Sequence, residues 1–277
     1  MKLHSIFNSL MNSIIIKAII LFIVLVSIPT YGQTGSENKS TNKKYPDAPA
    51  LKSITMYEIN SEDTIGTIMS LEIFNQKGLR TEHIEYDYTG VEKAKENFEY
   101  DEDGKVIKIS AEGKTSTFSY NEKGLIGTID SEELIIEFLY NEKNHIAEMK
   151  YKQKDEYVGY QRFEYKYDDK DSVIETKKLD KFIDEPGETL QYHKLMKYDD
   201  AGNLIEEIHY FKGEPESSEV NKYDEYGSLI KKQIYEWPDR LQSMNKYKYD
   251  DYGNLILVMY EEDGSIWGER YVYEYAD

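Results

Sequence analysis

The sequence predicts an all-β fold built from tandem β-hairpins, and three observations carry that prediction. A short phrase recurs along the chain, the residues before each phrase alternate with period two, and no segment beyond the N-terminus has a helical period. The phrase is sharpest as YDDAGNLI from Tyr198, YDEYGSLI from Tyr223 and YDDYGNLI from Tyr249. Weaker copies begin at Phe74, Tyr100, Tyr120, Tyr140 and Tyr167, and Tyr275-Ala276-Asp277 reads as the opening of a ninth. Successive starts lie 26, 20, 20, 27, 31, 25 and 26 residues apart. A unit of this size cannot bury an apolar face alone, so neighbouring units must pair or stack.

In chain order, residues 1–32 read as a secretory signal peptide. Lys2 and Lys17 precede the apolar run from Ala18 to Ile28, and Pro29-Thr30-Tyr31-Gly32 offers cleavage before Gln33. The run is short for a membrane span, which needs about 20 residues. Extended back across Lys17 through Ile14–Ile16 it makes a marginal anchor, the alternative to cleavage. Residues 33–50 (QTGSENKSTNKKYPDAPA) are polar and predict a disordered linker. The repeat domain then occupies residues 51–277.

Within each unit the phrase is a turn between two strands. In Tyr249-Asp250-Asp251-Tyr252-Gly253-Asn254 the Asp after the aromatic can accept from nearby backbone N–H groups. The Gly three residues later supplies the positive φ that closes the turn, which suits a hairpin of three to five loop residues with a bulge at the Gly. Asn144 and Asp171 stand at that position in two copies. The strand entering each turn alternates: Phe163, Tyr165 and Tyr167 share one face, and Arg162, Glu164 and Lys166 the other. The last strand sets Trp267, Glu269, Tyr271, Tyr273 and Tyr275 against Arg270, Val272 and Glu274. Phe98/Tyr100, Phe118/Tyr120, Phe138/Tyr140, Met196/Tyr198 and Tyr247/Tyr249 fill the same two places, forming aromatic ladders that wall a core. Looser reversals at Lys212-Gly213-Glu214-Pro215, Trp237-Pro238-Asp239 and Glu262-Asp263-Gly264-Ser265 give each unit a second turn. The domain is therefore expected to hold roughly 16–18 antiparallel strands. A sheet that long should curl into a β-shell, barrel-like or two-walled, because strongly twisted open sheets rarely exceed about 10 strands. A flat ribbon would leave its aromatic face wet.

The motif Tyr-Asp-x-x-Gly-Asn-Leu-Ile, followed by a second Tyr-containing strand, resembles the tyrosine–aspartate (YD) repeats of bacterial Rhs-type proteins and their teneurin relatives. The resemblance runs over roughly Phe74 to Asp277 and is closest in the three late copies. It implies a β-shell built of repeats. Large members of that family enclose a toxin domain or present adhesive surfaces, and some are labelled carbohydrate-binding. This chain resembles a short form without a C-terminal toxin, so the fold carries over and the enclosed cargo does not.

Composition narrows the function. With 53 acidic against 34 basic side chains the formal net charge is −19, which strongly disfavours nucleic acid and anionic membrane surfaces as partners. There is no Cys, so disulfides, metal thiolates, thiol nucleophiles and a cysteine-linked lipid anchor are all excluded. His83, His145, His193 and His209 fall one to a unit, with no metal-ligand spacing. No nucleophile elbow, phosphate-cradling loop or dinucleotide fingerprint is present, and acids at repeat turns are explained by turn chemistry. Asp101-Glu102-Asp103-Gly104 begins like a calcium loop, but Ile107 and Ile109 occupy later ligand places. Asp199/Asp200 and Asp250/Asp251 offer at most loose cation contacts. No catalytic residue, metal or cofactor is therefore expected. Aromatics at or near turns remain as the candidate ligand-binding residues: Tyr226, Tyr235, Trp237, Tyr252 and Trp267. The expectation is an exported, non-enzymatic scaffold, secreted or in the periplasm or cell envelope, not inserted in a membrane once the signal is cleaved. It would bind an envelope or extracellular protein; the alternative is a carbohydrate-binding module using the turn Tyr and Trp side chains on a glycan.

Overall fold

The structure, a computed structural model, describes residues 49–276 except 63, 155 and 185. The expected signal peptide and the linker as far as residue 48 lie outside the described residues. All regular structure among the described residues is β. The first nine strands are β1 (Leu51–Asn60), β2 (Ile65–Phe74), β3 (Arg80–Tyr86), β4 (Glu92–Tyr100), β5 (Val106–Ala111), β6 (Lys114–Tyr120), β7 (Ile126–Ser131), β8 (Ile135–Tyr140) and β9 (Ile146–Gln153). The second nine are β10 (Glu156–Tyr167), β11 (Val173–Phe182), β12 (Thr189–Tyr198), β13 (Leu204–Phe211), β14 (Glu214–Tyr223), β15 (Leu229–Glu236), β16 (Arg240–Tyr249), β17 (Leu255–Glu262) and β18 (Ser265–Tyr275). The expected tandem hairpins are thus present at the upper end of the predicted count.

Every copy of the phrase makes the turn its residues dictate. At Asp250, Oδ1 accepts from the N–H groups of Tyr252 (2.9 Å) and Asn254 (2.8 Å). Gly253 N donates to Asp250 O at 3.1 Å, with Gly253 at φ 82°. Asn144 and Asp171 take the same left-handed conformation, at φ 64° and 67°, as the two residue types that tolerate it best after Gly. The bulge, however, is not at the Gly. Tyr249 pairs with Leu255 while Lys248 pairs with Leu257, so Ile256 is the extra residue. Gly127, Ala147 and Ile230 are skipped in the same way. The five-residue loop absorbs the reversal, and the extra residue is pushed into the outgoing strand, where it increases the local twist.

The recurrent Tyr has a bonding role that the phrase alone did not reveal. Tyr120 OH donates to Val106 O (2.7 Å) and Tyr140 OH to Ile126 O (2.9 Å). Tyr223 and Tyr249 donate to Leu204 O and Leu229 O, both at 2.9 Å. Each acceptor is the first residue of the strand that follows the preceding phrase. Tyr165 and Tyr273, two residues earlier in their copies, make the same bond to Ile146 O and Leu255 O at 2.8 Å. The next Tyr along is then released to the previous turn: Tyr167 OH meets His145 Nδ1 at 2.7 Å, and Tyr275 OH accepts from Asn254 Nδ2 at 3.0 Å. A buried phenol needs such a partner. Burial also pushes the Tyr120, Tyr140, Tyr165 and Tyr273 phenols up, Tyr120 to about 12.

The chain forms two compact units. One comprises residues 98–195 and 210–214. Its strands pair in order from β5 to β12, and Phe98, Val106, Ile109, Phe118, Ile129, Ile136, Phe138 and Tyr151 form a continuous apolar core. Here the expected aromatic ladders wall the core as predicted.

The other unit comprises residues 49–97, 196–209 and 215–276, and pairs in the order β14 to β18, then β1 to β4. The first strand lies against the last, with Leu51 opposite Tyr275 and Asn60 opposite Trp267. That ladder removes the two free edges an open ribbon would have at the chain's ends. In this unit the aromatic face carries further charges beside Glu269, which the alternation of the last strand already placed with Tyr271. Register places Glu219 and Lys232 on the face that carries Tyr247, and Glu269 on that of Tyr271. These charges are tolerated because they are partnered: Lys232 Nζ lies 2.6 Å from Glu219, and Tyr271 OH donates to Glu269 Oε2 at 2.6 Å.

Candidate functional site

Connectivity sorts the turns of the second unit to two ends. The turns leaving even-numbered strands are the Asp/Asn–Gly turns at Asn75, Asp199, Asp224 and Asp250, and one further turn of this kind, at Asp87, leaves β3. The turns leaving odd-numbered strands, β1–β2, β3–β4, β15–β16 and β17–β18, lie at the opposite end. Tyr226 and Tyr252 belong to the first end, and Tyr235, Trp237 and Trp267 to the second. A strand of eight residues such as β15 is about 26 Å long at ~3.3 Å per residue, so the five predicted residues do not form one site.

Each of the five has a distinct setting. Tyr226 and Tyr252 donate their backbone N–H to Asp224 and Asp250, both at 2.9 Å, so their positions are fixed by the turn. Tyr226 is half-buried; the exposed Tyr252 ring lies 6.1 Å from that of Tyr275. Tyr235 is half-buried, its hydroxyl accepting from Gln233 Nε2 at 2.9 Å. Trp237 is exposed at the tip of the β15–β16 hairpin, its N–H bonded to Glu216 O at 2.9 Å. Trp267 is exposed and stacked on Tyr260, with ring centroids 5.8 Å apart and planes inclined at 26°. Burial, followed by the nearby Glu269 carboxylate, pushes the Tyr260 phenol up.

Trp267 lines a groove of about 290 Å³ between the start of β18 and the β1–β2 hairpin. Its other walls include Glu58, Asn60, Thr67, Ile65 and Ile266. Asn60 Oδ1 accepts from Glu62 N (3.0 Å) and Thr64 N (3.1 Å), which holds the hairpin mouth, and Thr67 Oγ1 donates to Tyr88 O at 3.3 Å. The groove thus offers an aromatic plane, a carboxylate and an amide rim.

The same end collects exposed apolar side chains. Ile65, Tyr88, Val91, Trp237, Leu241, Ile266 and Trp267 are between 37% and 84% exposed, and every one lies in or within three residues of an odd-to-even turn. At the other end of this unit Tyr252 is the one large apolar side chain exposed among the described residues; Val220 and Val272 lie within strands. Sequence reasoning singled out Trp237 and Trp267 but missed the other five. Tyr88 was in plain view, since Tyr86-Asp87-Tyr88-Thr89-Gly90 is itself a copy of the phrase, with Asp87 Oδ1 accepting from Thr89 N (2.8 Å) and Val91 N (3.0 Å). It sits 12 residues after the copy at Phe74 and falls outside the spacing of the others.

No protein-family model matches the chain, and no curated protein matches its sequence. Among solved structures it is similar to a porin-like protein from Bacteroides uniformis ATCC 8492, at 10% identity over 83% of this chain and 100% of that one, with a TM-score of 0.43. A porin-like protein from Bacteroides vulgatus ATCC 8482 matches at 11% identity over 82% of this chain and 99% of that one, TM-score 0.43. TcdB2-TccC3 without its hypervariable C-terminal region matches at 12% identity over 77% of this chain, which spans 14% of that one, TM-score 0.32.

Proposed function

We propose that this chain is an exported, non-enzymatic β-repeat protein of the YD type that acts as a binding scaffold for a protein partner in the bacterial envelope or outside the cell. The observation that carries the reading is the one-ended distribution of exposed apolar residues at the odd-to-even hairpins of the second unit. Exposed apolar side chains gathered at one end of a sheet are what protein interfaces present. The N-terminal residues 1–32 support export, and the acidic charge supports a partner other than nucleic acid. Among the described residues no helix is long and apolar enough to cross a membrane. Strand residues such as Glu164, Lys166, Lys197, Lys222, Lys248 and Glu274 are exposed and charged, which supports strands that face water rather than lipid. The Asp/Asn–Gly turn and its tyrosine clamp, repeated along the chain, support the YD assignment.

The groove beside the Trp267–Tyr260 stack favours a second reading, a glycan site in which the indole plane carries a sugar ring and Glu58 and Asn60 flank it. A glycan array separates the two. Binding to one sugar class, lost in Trp267→Ala with melting unchanged, would replace the protein-partner reading. A blank array from folded protein, with capture of a single envelope protein lost in Ile266→Ser/Leu241→Ser, supports it.

A further inference from the structure

Three potential metal ligands converge on β13 and β14, in the second unit and away from the groove. Glu207 and His209 are two residues apart, so both side chains leave β13 on one face. Glu219, on β14 beyond the Lys212–Gly213 turn, reaches the same point. One ligand atom from each lies within 4.8 Å of the others. His209 Nε2 is 2.8 Å from Glu207 Oε1 and 3.8 Å from Glu219 Oε1. The side chains are only 14%, 25% and 23% exposed for Glu207, His209 and Glu219 respectively. His209 Nε2 is itself shielded from solvent and makes no hydrogen bond of acceptable geometry.

We propose that Glu207, His209 and Glu219 bind a first-row divalent metal ion of the zinc type. Two ligands at about 2.1 Å on a tetrahedral ion stand about 3.4 Å apart, between the two separations observed around Nε2. A solvent-shielded imidazole nitrogen that makes no hydrogen bond lies between two half-buried carboxylates, and a divalent cation is a partner all three can share. The imidazole selects against Ca²⁺ and Mg²⁺, which take oxygen ligands. Lys232 does not block the site: its Nζ lies 2.6 Å from Glu219 Oε2, leaving Oε1 to face His209. In that arrangement Lys232 orients the ligating carboxylate from behind.

The other histidine–carboxylate contacts are differently composed. Glu72 Oε1, 3.7 Å from His83 Nδ1, is already held by Arg80 at 2.8 Å, and Glu85 stands 3.8 Å from the opposite ring nitrogen, Nε2. Glu175, 3.1 Å from His193 Nε2, is paired to both Lys166 and Lys177. Neither sets a second carboxylate against the same ring nitrogen.

Calorimetric titration of the full chain with Zn²⁺, and visible absorption of the Co²⁺ form, test the proposal. The expected result is one saturable equivalent, weakened at least tenfold in His209→Ala and in Glu219→Gln and unchanged in His83→Ala. If His209→Ala does not fold by circular dichroism, Glu207→Gln, which keeps size and shape, supplies the same comparison. Absence of saturable Zn²⁺ binding overturns the proposal. So does binding that survives these substitutions, that follows His83, or that Ca²⁺ matches in affinity.

Discussion

Replacing Tyr249 by Phe removes one oxygen and nothing else, so it isolates the clamp that ties each repeat to the one before. Tyr249 OH donates to Leu229 O at 2.9 Å, from the end of β16 to the start of β15, and both residues are half-buried. A net protein hydrogen bond is worth roughly 0.5–1.5 kcal/mol, and with both groups half-buried the middle of that range, about 1 kcal/mol, is expected. For a domain of this size that lowers Tm by about 2–4 °C. Tyr223 and Tyr273 make the equivalent bond in the same unit. Successive clamps are two strands apart, about 9.5 Å, so their effects should add. The triple variant Tyr223→Phe/Tyr249→Phe/Tyr273→Phe should therefore lose about 3 kcal/mol. Urea denaturation measures this as a fall in midpoint at constant slope. The control is Tyr252→Phe at an exposed ring, expected within about 0.5 kcal/mol of wild type. A Tyr249→Phe variant as stable as wild type, or a triple variant no worse than the single one, would refute the clamp.

Further outcomes follow from close packing and from charge. An ideal Cβ on Gly268 would stand 2.3 Å from Val258 O and 2.8 Å from Met259 Sδ, so Gly268→Ala forces β18 away from β17 and should cost roughly 2–3 kcal/mol by thermal melting. Gly187→Ala meets nothing within 4 Å and should be neutral or slightly stabilising; equal melting of the two variants would contradict the β17–β18 register. Arg162, and behind it the Tyr160 hydroxyl, hold the Glu188 carboxyl down at about 2. A depressed carboxylate contributes stability above its ordinary value of 4.5 that is lost as pH falls toward 2. Because the pair is partly exposed the contribution is below about 1 kcal/mol, and Glu188→Gln should flatten the acid limb by no more than that. An NMR titration placing Glu188 near 4.5 would disprove the contact.

The fold was legible because its signals are local. Asp250 and Gly253 define a turn without reference to anything distant, and the alternation of Phe163, Tyr165 and Tyr167 assigns a face by the period of a strand. What stayed hidden depends on register. The phrase could not tell that Ile256 rather than Gly253 would carry the bulge, because that follows from pairing with Lys248 and Tyr249 across the hairpin. The Glu207–His209–Glu219 cluster has no helical ligand spacing; it is assembled by a two-residue step along one strand and an approach from the next. The surface candidates fared unevenly for the same reason. Tyr226 and Tyr252 look alike in sequence to Trp237 and Trp267, but the meander sends the two pairs to opposite ends of the sheet.

The central claim is that the odd-to-even hairpin end of the second unit faces a protein. It is tested most directly by placing a photo-crosslinking amino acid at Ile266, at Leu241 or at Tyr252 and irradiating the native cells. The account predicts one discrete protein adduct from positions 266 and 241 and none from 252, where the exposed ring lies at the other end. No adduct from 266 and 241, or the same adducts from all three positions, would contradict it.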